Sequence, residues 1–160
     1  MLNTLCSAMI LMFALAFASD SKAQHMIGGV PVSCVNFQGF PVMLVPNAQL
    51  NDIGRAVMAP NGQPVMLLNP IGMNNLPPSL QLFIYAHECA HHALGHLANP
   101  SLASESQADC WAIQTGRNQG WFPPHAFQAL IAYLGNSPGS PWGHFPGPQR
   151  IQNIMMCYQS

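Results

Sequence analysis

At 160 residues the chain has room for one domain with a single modest core. Charged side chains make up 6% of it and the formal net charge is −1. Past residue 23 the only Arg or Lys side chains are Arg55, Arg117 and Arg150, so no basic stripe is available to neutralise phosphates. Nucleic-acid binding is therefore disfavoured as a function.

In chain order, the first feature is an apolar run, Leu5 to Ala18, of about fourteen residues, against the roughly twenty a bilayer span requires. Small residues follow in Ala16-Phe17-Ala18 and in Ser21-Lys22-Ala23. We read residues 1–23 as a secretory signal peptide cut after Ala23, although Met1 to Thr4 carries no Lys or Arg. Residues 24–160 are then one exported domain, periplasmic or extracellular, with no stable membrane span. Four cysteines remain in it: Cys34, Cys89, Cys110 and Cys157. An even count in an exported chain predicts two disulfides, with three possible pairings.

Short apolar runs at Val30–Val35, Pro41–Val45, Arg55–Ala59 and Pro64–Leu68 are separated by turn residues, and Asn61-Gly62 marks a hairpin between the last two. A small antiparallel sheet is expected here. After Pro77-Pro78 the pattern turns helical. Helices are expected over Ser79–Leu97, from Ser101 to about Gln119, from a start at Pro123-Pro124 through Ala126 to Leu134 with Gly135 as its cap, and over Gln149–Tyr158. Residues 136–148 form a Pro/Gly-rich loop. The expected fold class is α+β, with the sheet first and a helical core after it.

His87-Glu88-Cys89-Ala90-His91 is an H-E-x-x-H motif inside the first long helix. Residues four apart share a helix face, so both imidazoles can reach one metal ion. Glu88, offset by about one hundred degrees, can act as the base that takes a proton from an attacking water. A catalytic zinc needs a third protein ligand. Extension to a third histidine fails, because Leu94 and Leu97 stand where Gly and His would be needed; His96 is one residue out of register. Glu105 is the expected third ligand. If the two helices pack antiparallel through Ala98–Pro100, Glu105 comes level with His91. Asp109, one turn further on, would then orient a ligand imidazole through its outward N–H. Glu88 and Glu105 are the only glutamates in the chain, which weighs against a merely solvated face. Cys89 points about two hundred degrees from the histidine face and is not a ligand. Because Cys89 and Cys110 each follow a carboxylate of this set, we expect a Cys89–Cys110 bridge fastening the two helices, and a Cys34–Cys157 bridge. Among the other histidines, His92 is expected to pack or meet solvent, His96 to make a ligand-orienting contact, and His125 to be structural. Trp111, Trp121 and Trp142 are expected in core or cleft walls.

His87 to His96 followed by Glu105-Ser106-Gln107-Ala108-Asp109 resembles the gluzincin metallopeptidases, especially the HtpX-like and CAAX-prenyl-protease-like group, with H-E-x-x-H and then E-x-x-x-D. Gly143 to Ile151 also resembles that group's late His-Pro and Arg-Ile segment, although Phe145 separates His144 from Pro146. The likeness covers roughly residues 77–158. It departs in the short His91-to-Glu105 spacing and in having no flanking transmembrane helices. It implies a zincin-like core and hydrolysis of a peptide or unfolded-protein substrate by zinc-activated water. It further implies that His144 or Arg150 lies near the oxyanion or substrate carbonyl, with Arg150 buttressing the site. Two alternatives use the same residues: a catalytically silent zinc-binding adaptor or chaperone-like module, and a zinc hydrolase acting on a cell-wall peptide amide.

Overall fold

The computed structural model describes residues 25–139 and 143–160. The expected signal peptide and Trp142 lie outside the described residues. Strands β1 (His25–Ile27) and β2 (Val30–Val32) form an antiparallel pair. A second sheet contains β3 (Met43–Pro46), β4 (Gly54–Met58) and β5 (Pro64–Leu68), in the order β3-β5-β4. The β4–β5 hairpin is antiparallel, with Ala56 opposite Met66, as the Asn61-Gly62 turn predicts. The expectation of an antiparallel sheet throughout is corrected at β3, which runs parallel to β5. The reason lies in the burial pattern. β5 is the most apolar strand and takes the centre, so β3 pairs with its far edge and β4 is left as an edge strand.

The helical part contains α1 (Pro70–Asn74), α2 (Pro78–Ala93), a 3-10 turn (His96–Ala98), α3 (Leu102–Asn118), α4 (Pro124–Leu134) and α5 (Gly147–Gln159). The sequence reading missed α1. Its signal is Asn69-Pro70: the Asn69 side chain accepts from the N–H groups of Ile71 and Gly72, and Pro70 fills a first-turn position where its missing N–H costs nothing. The proline pairs open α2 and α4 as expected, and Gly135 closes α4. α3 starts on a reciprocal cap, in which Ser104 N–H donates to Ser101 Oγ at 3.1 Å and Ser101 N–H to Ser104 Oγ at 2.7 Å.

α2 is the central element. Leu80, Phe83, Ala86 and Ala90 are buried on it, and so are His87, Glu88, His91 and His92. A helix covered on nearly every side has its polar residues inside the molecule, where each needs a partner. α3 packs along one side of α2, β4 along another and α4 on a third. α5 packs on α3 and α4, where the Tyr158 ring stacks on Phe127 at 3.7 Å between centroids.

The helix expected over Ser79–Leu97 ends early. Leu94 is its last turn's cap and Gly95 is left-handed, with φ 73°. That conformation costs glycine little, and it reverses the chain so that His96 folds back toward α2.

The disulfide expectation is corrected: the bridges are Cys34–Cys89 and Cys110–Cys157. The His87/His91 face of α2 is turned toward α3. Cys89, about two hundred degrees away, therefore faces the segment after β2, where Cys34 lies. The direction that rules out Cys89 as a ligand also rules out a bridge to α3. Cys110 instead faces α5. The bridges span sequence separations of 55 and 47 residues, and closing loops of that size lowers denatured-state entropy by about 4 kcal/mol each in the chain-entropy model. Replacing Cys110 and Cys157 together by serine is expected to lower the unfolding free energy by about 2–4 kcal/mol, measured by urea titration. Non-reducing peptide mapping should recover Cys34 joined to Cys89; a Cys89–Cys110 peptide would contradict this topology.

Candidate metal centre

α2 carries His87 and His91 one turn apart, and the first turn of α3 carries Glu105 opposite them. His87 Nε2 lies 3.1 Å from His91 Nε2 and 3.2 Å from Glu105 Oε2, while His91 Nε2 lies 3.5 Å from Glu105 Oε1. One donor atom from each residue falls within 4.8 Å of the others, so the three could hold a metal ion. Two donors about 2.1 Å from a tetrahedral ion stand roughly 3.4 Å apart, so the spacing fits. The donor set is chemically suitable too: two imidazoles and a carboxylate, brought together in a largely buried place where none has a hydrophobic reason to be.

The imidazole orientations follow from the outer contacts. His87 Nδ1 donates to Asp109 Oδ1 at 2.9 Å, so its Nε2 is the nitrogen turned to the other donors. Asp109 is buried, and Arg150 donates to both of its oxygens, from Nε and from Nη2, each at 2.7 Å. The Arg150 guanidinium lies 5.6 Å from the centroid of the Phe83 ring. Asp109 thus stands behind His87, and Arg150 holds Asp109 in place while also bordering the cleft beside His87.

Charge in this cluster is strongly shifted. Burial pushes the Asp109 carboxyl up, but hydrogen bonds from Arg150 and His87 outweigh it and hold the group at about 2. Burial likewise raises Glu105, and three imidazoles reverse the effect, leaving it well below the usual carboxylate range. For His87 burial disfavours the cation, yet its hydrogen bonds to Asp109 and Glu105 dominate and raise it to about 9. His96 is lowered, by burial first and by the neighbouring His91 second.

Glu88 is buried beside the donors, and its Oε2 accepts from the Ala56 N–H at 2.7 Å. The backbone of β4 comes this close because position 54 is glycine: a Cβ there would stand 2.8 Å from Glu88 Cγ. His144, on the segment before α5, brings Nε2 to 3.1 Å from Glu105 Oε2 and 3.3 Å from His87 Nε2. His87, Glu88, His91, Glu105, Asp109, His144 and Arg150 therefore lie together in space, while the four cysteines pair differently from the expectation. His92 is buried and packs, donating from Nε2 to the Val65 carbonyl at 2.9 Å, which ties α2 to β5. His125 is exposed at the start of α4, and Trp111 and Trp121 pack against the core. The sequence reading missed Ala56 and Gly54, which approach from 32 or more residues away with no local signal.

Two neighbouring clefts open on the site. One, of roughly 230 Å³, is lined by Arg55, Ala56, His91, His96 and Leu97. The other, of roughly 240 Å³, has apolar walls of Ile53, Leu80, Phe83, Ile84, Tyr133 and Leu134. Glu88 and His144 border both.

Comparison with known proteins finds no matching family model, no similar curated protein and no similar solved structure. The site stands on its own geometry.

Two expectations follow. Arg150→Met leaves the Asp109 carboxylate buried without its cation, and should cost about 3–5 kcal/mol of stability in denaturant titration. Metal binding must displace the proton that His87 carries below about 9. Metal affinity should therefore rise with pH, by roughly tenfold per unit between pH 6.5 and 9 if one proton is released. The same group stabilises the metal-free fold fully below its unfolded value near 6.5, and that contribution should be lost as pH rises through about 9.

Proposed function

We propose that the protein is a zinc-dependent hydrolase of peptide bonds that acts in an oxidising compartment outside the cytoplasm. The observation that carries the reading is the placement of Glu88. A buried carboxylate held by a backbone N–H stands beside two imidazoles and a second carboxylate, and it borders two clefts. His87, His91 and Glu105 would hold the ion, and the combination of two histidines and one glutamate suits zinc in a catalytic setting. The chemistry such an ion supplies is Lewis acidity, which activates water and polarises a carbonyl.

The chain's own residues account for the rest. Ala56 N–H fixes one oxygen of Glu88, leaving Oε1 to take the proton of the attacking water and pass it to the leaving amine. His144, whose Nε2 stands beside Glu105 and His87, would donate to the oxygen on which negative charge develops. Among the described residues β4 has a strand partner on one edge only, and its residues Gly54 to Ala56 border the cleft. An extended peptide would add along the part of that edge not given to Glu88, with an apolar side chain entering the pocket walled by Phe83 and Tyr133. The two disulfides suit an exported protein. Among the described residues no helix is long and apolar enough to cross a membrane.

Elemental analysis together with hydrolysis of an unfolded protein tests this reading. Wild type and Glu88→Gln should each hold about one zinc per chain, with turnover in wild type only. Glu105→Ala should lose the zinc. His144→Phe should keep it and lose roughly a hundredfold in turnover. Zinc without hydrolysis of any peptide would favour a non-hydrolytic binding module, and absence of zinc would remove the proposal.

A further inference from the structure

The two histidine ligands are oriented by different chemistry. Behind His87 stands a carboxylate. Behind His91 stands another imidazole: His96 Nδ1 lies 3.2 Å from His91 Nδ1. The far side of that ring is engaged as well, with His96 Nε2 3.0 Å from Gln107 Oε1. His96 is buried, and it reaches this position only because Gly95 turns the chain back after α2.

The proton positions along this row are coupled. Gln107 Oε1 can only accept, so His96 Nε2 carries a proton. A neutral imidazole has one N–H, so His96 Nδ1 presents a lone pair. His91 Nδ1 must then donate to it, which leaves the lone pair of His91 on Nε2. That nitrogen is the one 3.1 Å from His87 Nε2 and 3.5 Å from Glu105 Oε1. Reversing any link reverses the row. A donor at position 107 would put the proton of His96 on Nδ1, force the proton of His91 onto Nε2 and block coordination.

We propose that His96 and Gln107 form a neutral relay that sets the tautomer of His91, making both of them positioning residues for the metal centre. The inference rests on the metal-binding role given above to His91. It explains why an exposed glutamine on α3 faces a buried histidine beyond the end of α2. It also separates the duties of the two supports. Asp109 adds negative charge behind His87, whereas the relay directs His91 without adding charge to a cluster that already holds Glu88, Glu105 and Asp109.

Zinc affinity, measured by competition with a chromophoric chelator, tests the relay in the full protein. Gln107→Leu and His96→Phe should each weaken zinc binding by about 10- to 100-fold. Gln107→Glu, which keeps an acceptor, should retain wild-type affinity. Because Gln107 is exposed, its variants bear on the relay without disturbing the core. The second readout is the ring ¹⁵N spectrum of the zinc-loaded wild type, which should show His96 protonated on Nε2 and His91 on Nδ1. Unchanged affinity in both Gln107→Leu and His96→Phe, or a proton on His96 Nδ1, would overturn the relay while leaving the metal centre intact. Failure of wild type itself to bind zinc would overturn both.

Discussion

Asp109 is the residue on which the arrangement turns. A carboxylate this deeply buried costs several kcal/mol unless its oxygens are fully engaged. Here both oxygens meet the Arg150 guanidinium, and one also meets His87. Three helices are thereby joined at one side chain: α3 provides the carboxylate, α5 the cation and α2 the imidazole. The same contacts decide which nitrogen of His87 faces Glu105. Packing of the helical core and orientation of a donor atom are thus one interaction seen from two sides, and the Cys110–Cys157 bridge adds a covalent tie between the same two helices that hold Asp109 and Arg150.

On the sheet side, the counterpart is the Ala56 N–H donating to Glu88. An edge strand normally leaves outward-facing amide groups to solvent. In β4 one of them is spent on a buried carboxylate, which holds Glu88 without neutralising it. The cleft therefore has two walls of different character. One wall is the backbone of β4, and the opposite one is built of apolar side chains from α2 and α4.

Periodicity and composition made much of this legible. The H-E-x-x-H spacing placed His87 and His91 on one face, and the scarcity of glutamate singled out Glu105. The level-matching of two helices joined by a short link anticipated their meeting. What escaped had physical reasons. Strand β3 pairs in parallel because β5 competes for the centre of the sheet, and local sequence carries no record of that competition. The bridges were mispaired because proximity in sequence to a carboxylate says nothing about which way a thiol points, whereas helix direction does. His96 is out of register for the histidine face on a continuous helix, and it reaches His91 because Gly95 ends the helix and turns the chain back. Contacts such as Ala56 to Glu88 join backbone to side chain across 32 residues, and nothing in either segment announces the other.

Gly54 makes the approach of β4 to α2 sterically exclusive, since even a methyl group would have to displace the stem of Glu88 or the side chain of Ile84. That gives the position diagnostic value in comparing sequences. A chain that shares the H-E-x-x-H pattern but has a larger residue at the start of the equivalent strand cannot seat its glutamate against the strand in this manner. Glycine at that point, four strand-forming residues before a turn and some thirty residues ahead of the motif, is therefore a mark by which distant kin of this chain can be told from coincidental bearers of the motif.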